Sequence, residues 1–150
     1  MKKTNSRKNI SPSQNALACW TPRREEEKAI NRRSQLEKIT QVDEIWESLK
    51  VQLGDVLAVE SPHTFHPENF TYKELAANIS RAANAFSHIG VEPDDVVALF
   101  AENSPRWLIA DQGLMRLGAS DAVRGATAPA SELRYILEDS NAVGLIVQNS

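Results

Sequence analysis

The sequence predicts an α/β fold in which a mostly parallel sheet is layered with flanking helices. Apolar runs typical of strands alternate with helical periodicity from residue 39 onward, and the connections between them are short. Strands that alternate with helices in this way are joined by right-handed crossovers and lie parallel. The run at 96–100 is apolar throughout, as expected of a strand covered on both faces.

The charge distribution divides the chain at residue 38. Residues 1–38 hold ten Lys or Arg and four Glu, whereas residues 39–150 hold seven basic and sixteen acidic residues. Because the first segment has few large apolar residues, we predict a flexible basic tail over 1–38. Its role is open: an arm for anionic lipid, nucleic acid or an acidic protein, a transit peptide, or a solvated leader.

Composition also indicates the cellular compartment of the protein. Cys19 is the single cysteine, so no intrachain disulfide can form and a reducing environment fits best. No apolar run approaches the roughly 20 residues that cross a bilayer, and the basic start has no apolar signal region behind it. We predict a cytoplasmic protein, with peripheral membrane attachment through the basic tail as an alternative.

The folded segment 39–150 is predicted to begin with a helix and a hairpin. Apolar residues at helical spacing predict an amphipathic helix that starts near a cap at 40–43 and stops at Gly54. Two strands, Leu57–Val59 and Phe70–Tyr72, are expected to form the hairpin around a loop at 62–69.

The later elements are predicted from their caps. Thr71 and Glu74 have the spacing of a capping box. Ser104 and Pro105 begin a helix that should be buried almost all round and end at Gly118. The remaining strand, helix and strand are expected at 122–123, 129–139 and 143–147. Since the sequence stops directly after that last strand, we expect a domain that continues further.

No motif for nucleotide or metal chemistry is complete. Gly113 and Gly118 are followed by Ala119 rather than by the Lys of a phosphate loop, so we predict that they relieve helix crowding and end the helix. His63 and His66 have metal-like spacing without a third ligand, which favours solvated loop histidines. No catalytic, cofactor-binding or metal-binding residue is predicted.

Arg124 and Gly125 are the candidate binding residues. They follow a short strand at its carboxyl end, where open α/β sheets collect ligands. A cation beside a permissive backbone is suited to an anionic group, although an ordinary salt bridge explains Arg124 equally well.

Several short segments resemble, in order and spacing, the opening part of the adenylate-forming superfamily. They are Phe70–Leu75, Gly90–Phe100, Asn103–Trp107, Leu117–Ala119 and Glu132–Ser140. Within that superfamily, Phe100–Gly113 and Val123–Gly125 resemble the long-chain acyl-acyl carrier protein synthetases of cyanobacteria and plastids. The sequence departs from the general pattern near Gly125 and Ala126, where most relatives have an Asn-Pro pair.

The resemblance implies that residues 39–150 are the incomplete amino-terminal part of a larger adenylate-forming domain. The implied enzyme joins a fatty acid to ATP with Mg²⁺ and then transfers the acyl group to acyl carrier protein or coenzyme A. Arg124 and Gly125 would lie at the entrance for that thiol acceptor. The family's phosphate loop, adenine contacts and carboxyl-terminal lysine fall beyond residue 150, so the chain alone is expected to be inactive.

No nucleic-acid partner is expected for the implied enzyme. Two alternatives are open at this point. One is a non-catalytic interaction module with the same fold, and the other is a different adenylate-forming ligase, such as an aryl-CoA ligase or a luciferase-like enzyme.

Overall fold

The structure, a computed structural model, describes residues 39, 44–62 and 67–148. The predicted tail over 1–38, the helix cap at 40–43, and both His63 and His66 lie outside the described residues. Within the described part, no helix has the length and hydropathy needed to cross a membrane.

Helices and strands alternate through most of the described chain, which confirms the α/β prediction. In chain order they are α1 Glu44–Leu53, β1 Leu57–Ser61, β2 Glu68–Thr71, α2 Tyr72–His88, β3 Val96–Phe100, α3 Pro105–Leu117, β4 Ser120–Arg124, α4 Ala130–Asp139 and β5 Gly144–Val147.

Strands β3, β4 and β5 form a parallel sheet with β3 in the centre. Residues 97–100 of β3 are buried on both faces of the sheet. On one face, Val97 packs with Leu114 of α3 and with Ile146 of β5. The predicted parallel sheet is therefore confirmed, and the carboxyl ends of its strands meet at one edge.

The predicted hairpin is present, but its second strand is shifted. β1 and β2 pair antiparallel, and β2 starts at Glu68 and ends at Thr71, so Tyr72 belongs to helix α2. The Oγ1 atom of Thr71 accepts a hydrogen bond from the backbone N–H of Glu74, and the Glu74 carboxylate accepts one from the Thr71 N–H. This capping box turns the backbone into a helix at Tyr72, which ends the strand.

A glycine allows helices α2 and α3 to pack closely. A Cβ atom at Gly113 would lie 2.7 Å from the Cβ of Ala82, and Gly118 ends α3 with a φ of 87°. Both predicted glycine roles are confirmed. The prediction that α3 is buried all round is wrong in part, because Leu114 is buried whereas Met115 is exposed. The helix packs against the sheet and against α2, and within it Arg106 and Met115 are the exposed residues.

Candidate functional site

The candidate site is the edge of the sheet where the parallel strands end. The backbone N–H of Ala101 donates to the carbonyl of Arg124 at 3.2 Å, and that of Gln148 donates to the carbonyl of Phe100 at 3.3 Å. The Gln148 side chain accepts a hydrogen bond from the N–H of Glu102 at 3.0 Å. These bonds hold the three segments that follow the strands side by side.

Arg124 forms an ion pair at this edge. It is the last residue of β4, and its Nε donates to Oε1 of Glu132 at 2.6 Å. Glu132 lies in the first turn of α4, where the helix dipole favours a negative charge. The hydrogen bond and charge of Glu132 raise the pKa of Arg124. The pair is about half exposed, so it contributes little to stability.

Gly125 lies against a second carboxylate. A Cβ atom at this position would come within 3.3 Å of Oε1 of Glu102. Arg124 and Gly125 are therefore flanked by Glu132 and Glu102, and an incoming anion competes with these carboxylates for the guanidinium. The salt bridge that the sequence offered as an alternative is present. A role of Arg124 toward a ligand stays a prediction.

The described part of the chain contains no arrangement of side chains typical of a metal site. Among residues 44–62 and 67–148, no group of three or more His, Cys, Asp or Glu is arranged to hold a metal ion.

A pair of carboxyl groups lies away from this edge and was missed by sequence reasoning. Asp121, the second residue of β4, has its pKa raised to about 6 by burial and then by the hydrogen bond and charge of Asp111 on α3. Its Oδ2 atom is buried without a hydrogen-bond partner in the described chain. Two carboxylates can hydrogen-bond only when one carries a proton, so the neighbouring Asp111 favours the protonated form of Asp121.

The carboxyl pair continues into contacts with helix α1. Trp46 Nε1 donates to Oε1 of Gln112 at 2.6 Å, and Gln112 Nε2 donates to Oδ2 of Asp111 at 2.6 Å. Arg116 Nη1 lies 3.3 Å from Oε1 of Glu47, which gives α1 a second polar contact with α3. Helical periodicity predicts Trp46 as an inward residue of α1 and gives no polar partner for it. Its partner lies 66 residues away, a distance over which periodicity gives no information.

Comparison of the sequence with known proteins shows the family to which the chain belongs. Residues 47–150 match the family described as AMP-binding enzyme. The chain belongs to the adenylate-forming AMP-binding family. It is 42% identical to the "Probable acyl-activating enzyme 16, chloroplastic" of Arabidopsis thaliana. It is 40% identical to a chloroplastic long-chain-fatty-acid acyl-carrier-protein ligase of the same plant. Each alignment covers 72% of this chain and 15% of the relative.

The fold of this AMP-binding family chain is similar to that of a solved adenylation subdomain. The N-terminal subdomain of NpsA from Klebsiella oxytoca matches with a TM-score of 0.65 and 26% identity. The match covers 73% of this chain and 28% of the NpsA chain. The parallel sheet and its helices therefore correspond to part of an adenylation subdomain, and the superfamily resemblance of the sequence is confirmed.

Proposed function

We propose that this chain is the amino-terminal part of an ATP-dependent fatty acid ligase. The observation that carries the proposal is its 40% identity to a plant protein whose name states both the acid and the acceptor. In the proposed reaction, ATP and a fatty acid give an acyl-adenylate and pyrophosphate, and a thiol then displaces AMP. Mg²⁺ stabilises the phosphate charge in the first half.

Within this proposal, residues 39–150 belong to the AMP-binding domain and residues 1–38 form a basic tail. The family match over 47–150 supports the assignment of this segment to the AMP-binding domain. We also propose a cytoplasmic location, whereas the two plant relatives are named chloroplastic. Peripheral membrane attachment through the tail stays a prediction.

The thiol acceptor is proposed to enter beside Arg124 and Gly125. Acyl carrier protein is acidic and coenzyme A carries phosphates, so each offers an anion to a guanidinium. Support comes from the position of Arg124 at the carboxyl edge of the sheet, on a strand end that is open to solvent. The Glu132 side chain is about half exposed, so its carboxylate can move into solvent when an anion binds the guanidinium.

The experiment measures both half-reactions with the protein expressed from the complete coding sequence. Purified protein is given ATP, Mg²⁺ and a series of fatty acids, and exchange of pyrophosphate into ATP reports adenylation. Thioester formation is then measured with acyl carrier protein and, separately, with coenzyme A. We expect exchange that depends on a fatty acid and transfer to one of the two thiols.

Control reactions separate this proposal from the alternatives. Exchange that depends on aryl acids but not fatty acids would assign the protein to a different adenylate-forming ligase. Absence of exchange with every acid from a folded complete protein would favour the non-catalytic module. Residues 1–150 alone are expected to give no exchange, since the family's phosphate loop lies outside them.

A further inference from the structure

Four exposed residues of helix α4 recur at the spacing of a single helical stripe. They are Ser131, Arg134, Tyr135 and Glu138. The apolar residues that lie between them in the sequence are partly buried, because α4 packs against β3 and β4. These four exposed residues form the outer face of α4.

Arg134 is a cation without a carboxylate partner in the described part of the chain. Of the seven Lys and Arg residues in 44–62 and 67–148, four pair with Glu side chains. The other three are Lys73 and Arg81 of α2 and Arg134 of α4. Arg134 shares its helix with Glu132, the partner of Arg124. An uncompensated positive charge therefore lies two residues along the chain from the candidate site.

Tyr135 places an aromatic ring next to this cation. Its side chain is 63% exposed, and its hydroxyl donates a hydrogen bond to Oδ1 of Asp139 at 3.3 Å. Because the hydroxyl already has a partner, covering the ring with another molecule leaves no polar atom of Tyr135 unsatisfied. Tyr and Arg are among the residues that dominate the binding energy of protein interfaces.

The charges of α4 differ between its two ends. The last turn contains Glu138 and Asp139 and no basic residue. The first half of the helix follows the carboxyl edge of the sheet and contains Arg134, and the helix dipole adds positive potential there. An acidic partner is therefore attracted to the half of α4 beside Arg124 and repelled by the other half.

We propose that the outer face of α4 docks acyl carrier protein, with Arg134 and Tyr135 as its main contacts, while the thiol enters beside Arg124. This inference rests on the proposed function and selects the acceptor within it. A protein acceptor covers roughly 800 Å² of its partner, more surface than Arg124 and Gly125 present. Coenzyme A offers phosphates to Arg124 but has no protein surface to cover α4.

A membrane surface fits the outer face of α4 less well. Helices that lie on anionic membranes combine a broad apolar face with several Lys or Arg residues. The outer face of α4 has one aromatic and one basic side chain, and the helix ends in two acidic residues. The pattern is suited to a localised acidic surface of a protein.

The test compares variants of the protein expressed from the complete coding sequence. Arg134→Glu and Tyr135→Ala change the outer face of α4. The matched control, Arg81→Glu, reverses another unpaired cation, on α2. Acyl transfer is measured against the concentration of acyl carrier protein from Arabidopsis thaliana, the source of the relative named for that acceptor. Pyrophosphate exchange and transfer to coenzyme A are measured on the same proteins.

We expect Arg134→Glu to raise the KM for acyl carrier protein at least about tenfold, because it sets a carboxylate against an acidic partner. Tyr135→Ala should raise this KM about fivefold or more. Pyrophosphate exchange and any transfer to coenzyme A should stay at wild-type rates in both variants, and Arg81→Glu should leave every rate unchanged. Added salt should raise the wild-type KM for acyl carrier protein more than that of the charge-neutral variant Arg134→Gln.

An unchanged KM for acyl carrier protein in Arg134→Glu, or an equal rise in Arg81→Glu, would overturn the proposal. If Arg134→Glu also loses pyrophosphate exchange, Arg134→Gln takes its place, and an unchanged KM in that variant would overturn the proposal too. Transfer to coenzyme A but not to acyl carrier protein would reject the docking face and leave the fatty acid ligase intact. A wild-type protein that exchanges pyrophosphate with no fatty acid would reject the proposed function itself.

Discussion

Asp121 of β4 and Asp111 of α3 bring two carboxyl groups together between the sheet and the helix that covers it. Burial of Asp121 and its interaction with Asp111 raise the pKa of Asp121 to about 6. Asp111 also accepts the hydrogen bond from Gln112, which in turn holds the indole of Trp46. A chain of hydrogen bonds therefore connects Asp111, the neighbour of Asp121, to helix α1.

Asp121→Asn is expected to remove part of the pH dependence of stability. The pKa of Asp121 rises from 3.8 to about 6 on folding, so the folded chain binds the proton more tightly. The contribution of protonated Asp121 to the stability of the folded chain is complete below about pH 4 and is lost as the pH rises through 6. The neutral amide avoids the cost of ionisation and should make unfolding harder by about 1 kcal/mol at pH 8, after allowance for solvent screening.

Urea unfolding at pH 5 and pH 8 measures this effect. Asp55→Asn is the control, because Asp55 is an exposed residue in the turn after α1. A difference between wild type and Asp121→Asn that does not change with pH would show that the carboxyl pair does not titrate as stated. In a Trp20→Phe/Trp107→Phe background, where Trp46 is the remaining tryptophan, fluorescence at the two pH values reports whether the contact with Gln112 follows the proton.

Gly113→Ala should destabilise the chain even though alanine favours helix. The new Cβ would approach the Cβ of Ala82 at 2.7 Å and the backbone N of Ala83 at 3.3 Å. Overpacking costs about 1 to 3 kcal/mol. Because an approach of 2.7 Å is far inside van der Waals contact, we expect the upper part of that range, which exceeds the roughly 1 kcal/mol gained from helix propensity.

The double variant Gly113→Ala/Ala82→Gly tests the cause. The substitution Ala82→Gly removes the closest clashing atom. Thermal unfolding should therefore show that the double variant loses less stability than the sum of the losses caused by Gly113→Ala and Ala82→Gly separately. Additive effects of the two substitutions would exclude a direct clash between these positions.

Thr71→Ala should weaken the start of helix α2 by about 1 kcal/mol. The Thr71 hydroxyl is the side-chain acceptor for the N–H of Glu74, and alanine leaves that N–H to water. Thr71→Ser keeps the acceptor and is the matched control. Chemical denaturation should place Thr71→Ser near wild type and Thr71→Ala below it, and equal stabilities of the two variants would contradict the cap.

Under the proposed function, Arg124→Ala in the protein expressed from the complete coding sequence should lower the rate of thioester formation about tenfold or more and leave pyrophosphate exchange unchanged. Losing a charge-assisted contact costs about 1.5 to 3 kcal/mol, which corresponds to that factor. Arg124→Lys should restore only part of the rate, because lysine lacks the planar fork of the guanidinium.

Glu132→Gln separates this role from the salt bridge. It weakens the pair at 2.6 Å but keeps Arg124, so it should preserve or increase thiol transfer. If the salt bridge is the only function of Arg124, then Arg124→Ala and Glu132→Gln should have the same small effect on the melting temperature and should change both half-reactions equally. An unchanged transfer rate in Arg124→Ala would remove this residue from the site.

The sequence by itself determined the fold class and the helix boundaries that depend on neighbouring residues. The capping box of Thr71 and Glu74, the Ser104 cap and the end at Gly118 are present as predicted. Each of these depends on side chains and backbone within one or two turns, and such local preferences are written directly in the sequence. The apolar run of β3 likewise indicated a strand covered on both faces.

The tertiary structure decided which distant residues meet. The start of β2 at Glu68 depends on pairing with Ser61 of β1. Three polar contacts also depend on how separate elements pack. They are the contact of Trp46 with Gln112, that of Asp111 with Asp121, and that of Arg124 with Glu132. Hydrophobic periodicity fixes the face of an element that turns inward, but it does not specify the polar group that will lie opposite. That choice follows from strand register and helix packing, which exist only once the whole sheet has formed.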